Sequence, residues 1–207
     1  MKRLFPIVAL VFVVTAAGLL YEFRERVAEW NLWGLGQFIP EDSFWLAPYV
    51  ATPQEVVDRM LELAEVGPTD VVYDLGSGDG RIVITAAQKY GARGVGFELD
   101  QKLVRRAQDN ARRAGVTSLV EFRHQDVMTV DLSPATVVTL YLLQDANLRL
   151  RPIILSQLPL GARVVSHKFH MGDWRPDRTE KVQATSGDVH TLYLWRIASR
   201  LPPGKAR

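Results

Sequence analysis

The stretch from Val71 to Gly80, Val-Val-Tyr-Asp-Leu-Gly-Ser-Gly-Asp-Gly, constrains this chain more than any other. Val71, Val72 and Tyr73 are β-branched or aromatic and read as a strand, while Arg81 to Tyr90 carries apolar residues at helical spacing. Gly76, Gly78 and Gly80 therefore fall in a strand-to-helix turn. In an α/β sheet that turn is where a nucleotide-like ligand binds, because bare backbone lets it approach and glycine tolerates positive φ. The glycines alone are equally compatible with a plain tight βα turn.

Two further acids make the signal specific. Gly94 to Asp100 reads as the next strand, and Glu98 closes it 18 residues after Gly80. A Rossmann-type site places a carboxylate there to accept from both ribose hydroxyls. Asp126 follows another strand-like run, Leu119 to Gln125, and is placed to accept from an exocyclic adenine amine. Singly, each acid reads as an ordinary helix cap or loop residue. Three acids at successive strand ends, counting Asp74, match the span of one adenosine.

The glycine spacing separates two cofactors. In Gly76-x-Gly78-x-Gly80 the third glycine comes one residue early for a dinucleotide pattern, since position 81 is Arg. A pyrophosphate also favours a helix N-terminus free of acids, whereas this loop carries Asp74 and Asp79. Acids suit a cation. S-adenosylmethionine carries a sulfonium and an ammonium and no phosphate, so it is the expected cofactor.

The run Asp74 to Arg81, with Glu98 and Asp126, resembles the class I, seven-strand S-adenosylmethionine-dependent methyltransferases. Pro48 to Pro53, Thr139 to Leu143 and Arg163 to His167 narrow the likeness. Together they resemble the protein-lysine methyltransferase group that includes a broad-specificity archaeal enzyme and the mitochondrial enzyme for the ATP synthase c subunit. The resemblance implies an α/β, Rossmann-like seven-strand sheet ending in an antiparallel hairpin. It also places the segment holding Tyr49 and Thr52 at the site, although from the residues alone Thr52 reads as a helix cap and Tyr49 equally as a core aromatic. It departs from the pattern at Lys168 and His170, where bacterial members of the group commonly show acids, so no acidic acceptor-binding role carries over to that loop.

With 207 residues, 47% hydrophobic, the chain suffices for one domain with a sizeable core. A formal charge of +2 gives no nucleic-acid footprint, and no nucleic-acid partner is expected. Without cysteine there are no disulfides or thiolate metal sites, and no metal is expected. Residues 1–21 form a separate module: Leu4 to Leu20 is uncharged over 17 residues, the lower limit for a membrane span. Two readings stand, a single-pass anchor with the catalytic domain cytoplasmic and a cleaved secretory signal with Val14 and Ala16 at its cleavage site. Lys2 and Arg3 on one side and Arg24 and Arg26 on the other leave the orientation nearly undetermined by charge. Residues 22–47 read as a linker holding three of the five tryptophans, suited to a membrane interface or to a lid on the catalytic domain. Residues 48–200 are the methyltransferase domain, and 201–207 a disordered tail.

Within that domain, Thr52-Pro53-Gln54-Glu55 has the form of a capping box, with Gly67-Pro68 as the helix stop. Gln101 to Ala114 reads as a helix with a basic outer face, ended by Gly115. Pro152 is expected to kink the helix Asp145 to Leu158 or to mark its true start. Asn147, Arg149 and Arg151 read as structural. After a fourth strand over Ala135 to Leu143, the chain has Tyr141-Leu142-Leu143-Gln144 where enzymes acting on planar amino groups usually carry an Asn/Asp-Pro-Pro-aromatic box. A flexible amine, a hydroxyl or a small molecule is the remaining acceptor class. Tyr141 and Tyr49 are the candidate walls of the acceptor channel, Tyr141 the better placed to orient the nitrogen. His167 and His170 pair in sequence as a base or metal pair, or as plain loop residues. The expected activity is methyl transfer to a protein lysine. The alternatives are a small-molecule or lipid N- or O-methyltransferase and a cofactor-binding scaffold without catalysis.

Overall fold

The structure, a computed structural model, describes residues 49–198. The expected anchor or signal segment, the aromatic linker up to Ala47 and the C-terminal tail lie outside the described residues. Among the described residues, no helix is long and apolar enough to cross a membrane.

The chain runs α1 (Gln54–Leu63), β1 (Val71–Leu75), α2 (Arg81–Tyr90), β2 (Arg93–Glu98), α3 (Gln101–Ala114), β3 (Val120–His124), β4 (Val137–Leu140), α4 (Gln144–Gln157), β5 (Arg163–His167), β6 (Arg178–Gln183) and β7 (Val189–Arg196). A single 3-10 turn, Val127–Thr129, follows β3. The seven strands form one sheet in the order β3-β2-β1-β4-β5-β7-β6. β1 to β5 pair in parallel, and β7 is antiparallel to both β5 and β6. The order reverses between β1 and β4, so a crevice opens at the C-terminal ends of those two strands, the usual ligand position in open α/β sheets.

The central strands β1, β4 and β5 are buried on both faces, as parallel strands inside a sheet require. α1, α2 and α3 cover one side through Val56, Met60, Leu61, Val83 and Val104. On the other, α4 packs Leu150 and Ile154 against Leu75, Val138 and Val164. Trp195 is fully buried there and donates its indole N–H to the Trp174 carbonyl at 2.9 Å, which fixes the 170–177 loop without a crossover helix. Both outer strands carry charged pairs: Glu121 with Arg123 on β3, and Arg178 with Glu180 on β6.

Two expectations about helix ends are corrected. Thr52 does not cap α1: Pro53 occupies the cap position with no side-chain bond, and Glu55 accepts instead from the Thr185 backbone N–H at 2.7 Å. The helix also stops at Leu63, before Gly67-Pro68, because Glu65 turns to a positive φ of 52°. Pro152 neither breaks nor starts α4, which runs through it. A proline there forfeits one backbone bond, and the burial of Ala146, Asn147, Leu150 and Ile154 on one face holds the helix across the gap.

The end of the sheet away from the crevice is tied by one buried ion pair. Arg163 pairs with Asp70 and also donates to the Ala64 and Glu65 carbonyls at 3.0 and 3.2 Å. Asp70 additionally accepts from Thr136 Oγ1 at 2.7 Å and from the Gly67 N–H at 2.8 Å. One carboxylate and one guanidinium thus join the end of α1 to the starts of β1, β4 and β5. Arg163→Met strands Asp70 in a dry site and is expected to destabilise the domain by about 3 kcal/mol, read by denaturant unfolding. A loss within about 0.5 kcal/mol, the range of an ordinary surface substitution, would show that the pair does not hold this end.

Candidate active site

The glycine turn takes its shape from the strands beneath it. Gly76 and Ser77 both donate backbone N–H to the Phe97 carbonyl at 2.9 Å, and Gly80 donates to the Ser77 carbonyl at 2.9 Å. All three glycines have positive φ, from 53° at Gly78 to 85° at Gly76. At Gly78 a Cβ would also stand 2.5 Å from the Tyr49 ring. Only a residue without a side chain fits beneath that ring.

Glu98, at the end of β2, faces the loop as expected, and it also builds it. Its Oε2 accepts from the Gly78 N–H at 2.9 Å, while Oε1 accepts from Leu99 and Asp100 N–H at 2.8 and 3.0 Å. Each carboxylate oxygen has two lone pairs, so Oε2 keeps one for a ribose hydroxyl. Asp126 Oδ1 accepts from the Met128 N–H at 2.9 Å, which caps the 3-10 turn after β3 and aligns the carboxylate at that strand end.

The two loop acids differ in a way the sequence did not separate. Asp79 is bound by Arg81 through two bonds, at 2.9 and 2.7 Å. Burial works against its ionisation, but Arg81 prevails and holds its carboxyl below the usual carboxylate range. Its charge is already matched. Asp74 has no cationic partner among the described residues: it is buried, with Oδ1 accepting from Thr139 Oγ1 at 2.7 Å. Burial pushes its pKa up to about 7, against the Thr139 bond and with help from Glu98 and Asp79. A buried carboxyl balanced near neutrality beside a glycine loop is chemically suited to a cationic ligand.

Arg81 joins this loop to the segment before α1 by donating Nη1 to the Thr52 carbonyl at 2.7 Å. Tyr49 lies over Gly78 with burial and the Asp79 carboxylate raising its phenol pKa and Arg81 opposing them. The structure therefore brings Tyr49, Thr52, Gly78 and Glu98 into one system. Tyr141, just past β4, is elsewhere in the crevice: its ring stacks on His167 with centroids 3.9 Å apart.

Of the two readings of His167 and His170, the structure does not bring the two rings together as a pair. His170 turns away, its Nδ1 accepting from the Gly172 N–H at 2.9 Å. His167 meets His190, on the neighbouring antiparallel strand, at 2.8 Å between Nε2 and Nδ1. His190 and Arg81 are the residues that sequence reading passed over. Arg81 had a signal, since it stands two residues past an acid at the start of a helix, whereas His190 had none. Asn147 and Arg151 serve the fold: Asn147 Nδ2 donates to Ser166 Oγ and the Phe169 carbonyl, and Arg151 donates to the Met171 carbonyl. Among the described residues, no group of three or more His, Asp or Glu is arranged to hold a metal ion.

The chain is similar to a solved structure, an RNA methyltransferase from Salinibacter ruber in complex with S-adenosylhomocysteine. It is 56% identical, with a TM-score of 0.70, and the match covers 76% of this chain and 100% of that one. S-adenosylmethionine is the cofactor. Gly76, Gly78, Gly80, Asp74, Glu98 and Asp126 are the candidates to hold it, with Tyr49 over Gly78 and the Thr52 carbonyl tied to the loop by Arg81.

A cation above Asp74 favours its ionised form, so affinity is full above about pH 7 and declines as pH falls through the pKa of the free carboxyl. Calorimetry with S-adenosylmethionine is expected to show about tenfold weaker binding at about pH 6 than at about pH 8. Asp74→Asn, in which only the ligand's own amine still titrates, is expected to lose most of that dependence. Equal slopes in both proteins would remove Asp74 from the cofactor site.

Residues 74–178 match the family described as ANTKMT methyltransferase domain. A protein-lysine N-methyltransferase of Saccharolobus islandicus is 45% identical over 72% of this chain and 93% of its own length. The adenine nucleotide translocase lysine N-methyltransferase of Mus musculus is 36% identical over 69% of this chain, which spans 63% of that enzyme. With its glycine loop and carboxylates at successive strand ends, the chain belongs to the ANTKMT-type family of S-adenosylmethionine-dependent methyltransferases.

Proposed function

We propose that the protein transfers the methyl group of S-adenosylmethionine to the side-chain nitrogen of a lysine in a protein. The observation that carries this reading is the wall on the β4–β5 side of the crevice, where Tyr141 stacks on a fully buried His167. In sheet order, Glu98 and Asp126 stand over β2 and β3, which leaves the ends of β4 and β5 for the acceptor. The names of the archaeal and mouse relatives support a lysine acceptor.

The bound cofactor supplies a methyl carbon activated by a positive sulfur. A lysine ammonium must lose its proton before it can attack. From a pKa of about 10.4, neutralising it at pH 7 costs about 4 to 5 kcal/mol. The wall lowers that cost because an aromatic, buried surface without a carboxylate penalises the charged form. Burial pushes the His167 pKa down to about 4, with the neighbouring His190 and Lys168 acting in the same direction, so the imidazole is neutral at working pH. Tyr141 then orients the nitrogen by contact. No residue is required as a strong general base if the proton leaves to solvent before transfer.

A second reading, methylation of RNA, is favoured by the similarity to the Salinibacter ruber RNA methyltransferase. A small-molecule or lipid acceptor is a third, since β4 lacks the box that holds planar amines. The sequence also supports attachment to a membrane: Leu4 to Leu20 is uncharged, and a single-pass anchor with a cytoplasmic catalytic domain is part of this proposal. A reporter fused after Arg207 is expected to be active only on the cytoplasmic side, and activity only outside would overturn that placement.

Cell extracts incubated with the enzyme and methyl-labelled S-adenosylmethionine, then separated into protein, lipid and RNA, distinguish the acceptors. Label is expected in protein, with mass spectrometry showing one, two or three methyl increments on lysine. Label confined to RNA or to lipid would end the lysine reading.

A further inference from the structure

Beneath the acceptor wall runs a buried line of polar groups that cofactor binding does not use. Thr52 Oγ1 lies 3.4 Å from His167 Nδ1, and His167 Nε2 lies 2.8 Å from His190 Nδ1. His190 Nε2 ends the line, buried and without a hydrogen-bond partner among the described residues. Thr52 and His167 are themselves buried, at 4% and 0% exposure.

Two tautomeric arrangements fit the 2.8 Å contact. The one adopted in this proposal puts the His190 proton on Nδ1, which leaves Nε2 as a bare acceptor rather than an unmatched N–H donor. The 2.8 Å contact then requires His190 Nδ1–H to donate to His167 Nε2. A neutral imidazole has one N–H, so His167 carries its proton on Nδ1 and directs it at Thr52 Oγ1. Both nitrogens of His167 are engaged, and its lone pair is committed to His190. His167 is therefore no base for the acceptor. Held at both ends, its ring cannot turn, and it presents a fixed face on which Tyr141 stacks.

We propose that His190 is a positioning residue for methyl transfer: by donating Nδ1–H to His167 it fixes the tautomer and plane of the ring that aligns Tyr141 with the acceptor. The proposal rests on the reading that Tyr141 walls the acceptor channel. The other charged groups near the pair are Lys168, next to His167, and Glu55 on α1, whose carboxylate is bound by the Thr185 N–H. Neither forms a hydrogen bond to either ring among the described residues. The device thus consists of a threonine, two imidazole rings and a tyrosine.

Two measurements test it on the full chain. Nitrogen NMR of histidine-labelled protein is expected to show His167 and His190 both protonated at Nδ1, with His167 not titrating between about pH 5 and about pH 9. Nε2-protonated rings, or a His167 titration near its ordinary value, would overturn the assignment whatever the acceptor is. The second measurement compares His190→Gln, which keeps an N–H donor, with His190→Leu, which does not. His190→Leu is expected to lower kcat about tenfold with cofactor Kd within about twofold, and His190→Gln to retain most of kcat. Equal kcat in both variants, or joint loss of kcat and cofactor affinity, would reduce His190 to a packing residue. If wild-type enzyme methylates RNA or lipid instead of lysine, the lysine reading fails, and the same comparison on that acceptor still decides the role of His190.

Discussion

The site depends on the reach of one guanidinium. Arg81 closes on Asp79 with two bonds and spends a third on the Thr52 carbonyl, so the loop after β1 and the segment before α1 become one piece. Planar, multidonor geometry makes this a task for arginine that lysine would not perform. The result places the Tyr49 ring against Gly78, a loop position with no side chain to resist it. Tyr49 and Thr52 are distant in chain from the strand ends, yet the wall over the glycine turn is theirs.

Carboxylates in this crevice have separate duties although their chemistry is identical. Glu98 organises backbone N–H groups before it meets any ligand, Asp79 is neutralised by its neighbour, and Asp126 caps a turn. Asp74 alone is buried against a single hydroxyl, with no cation to balance it among the described residues. Counting acids in the loop overstates the negative charge on offer, because what a ligand encounters is charge left unmatched.

Much of the frame was legible in the sequence because it rests on local rules. α2 and α3 begin and end where the apolar spacing and Gly91 or Gly115 put them, and the hairpin turns near Gly187 with its positive φ. What was not legible depends on partners far along the chain. Thr52 has the form of a cap, but its side chain is used 115 residues away by His167. His167 and His170 stand three positions apart in sequence and read as a pair or as plain loop residues, whereas antiparallel pairing of β5 with β7 brings His190 beside His167. Pro152 read as a kink or as the helix's true start, since local propensity counts the lost bond and omits the packing that carries α4 on either side of it. Such errors concentrate where side chains leave their own element to serve the crevice.

The outer strands of the sheet have a consequence for how this domain meets copies of itself. An open edge offers a row of unused N–H and C=O groups to any passing strand, and β3 and β6 both put salt-bridged charges along that row. Glu121 with Arg123, and Arg178 with Glu180, would have to be stripped of water for another chain to add on. Ribbon-like growth across the sheet is thereby discouraged at both ends, and the domain can keep a large, continuous β-core without becoming a seed for fibres.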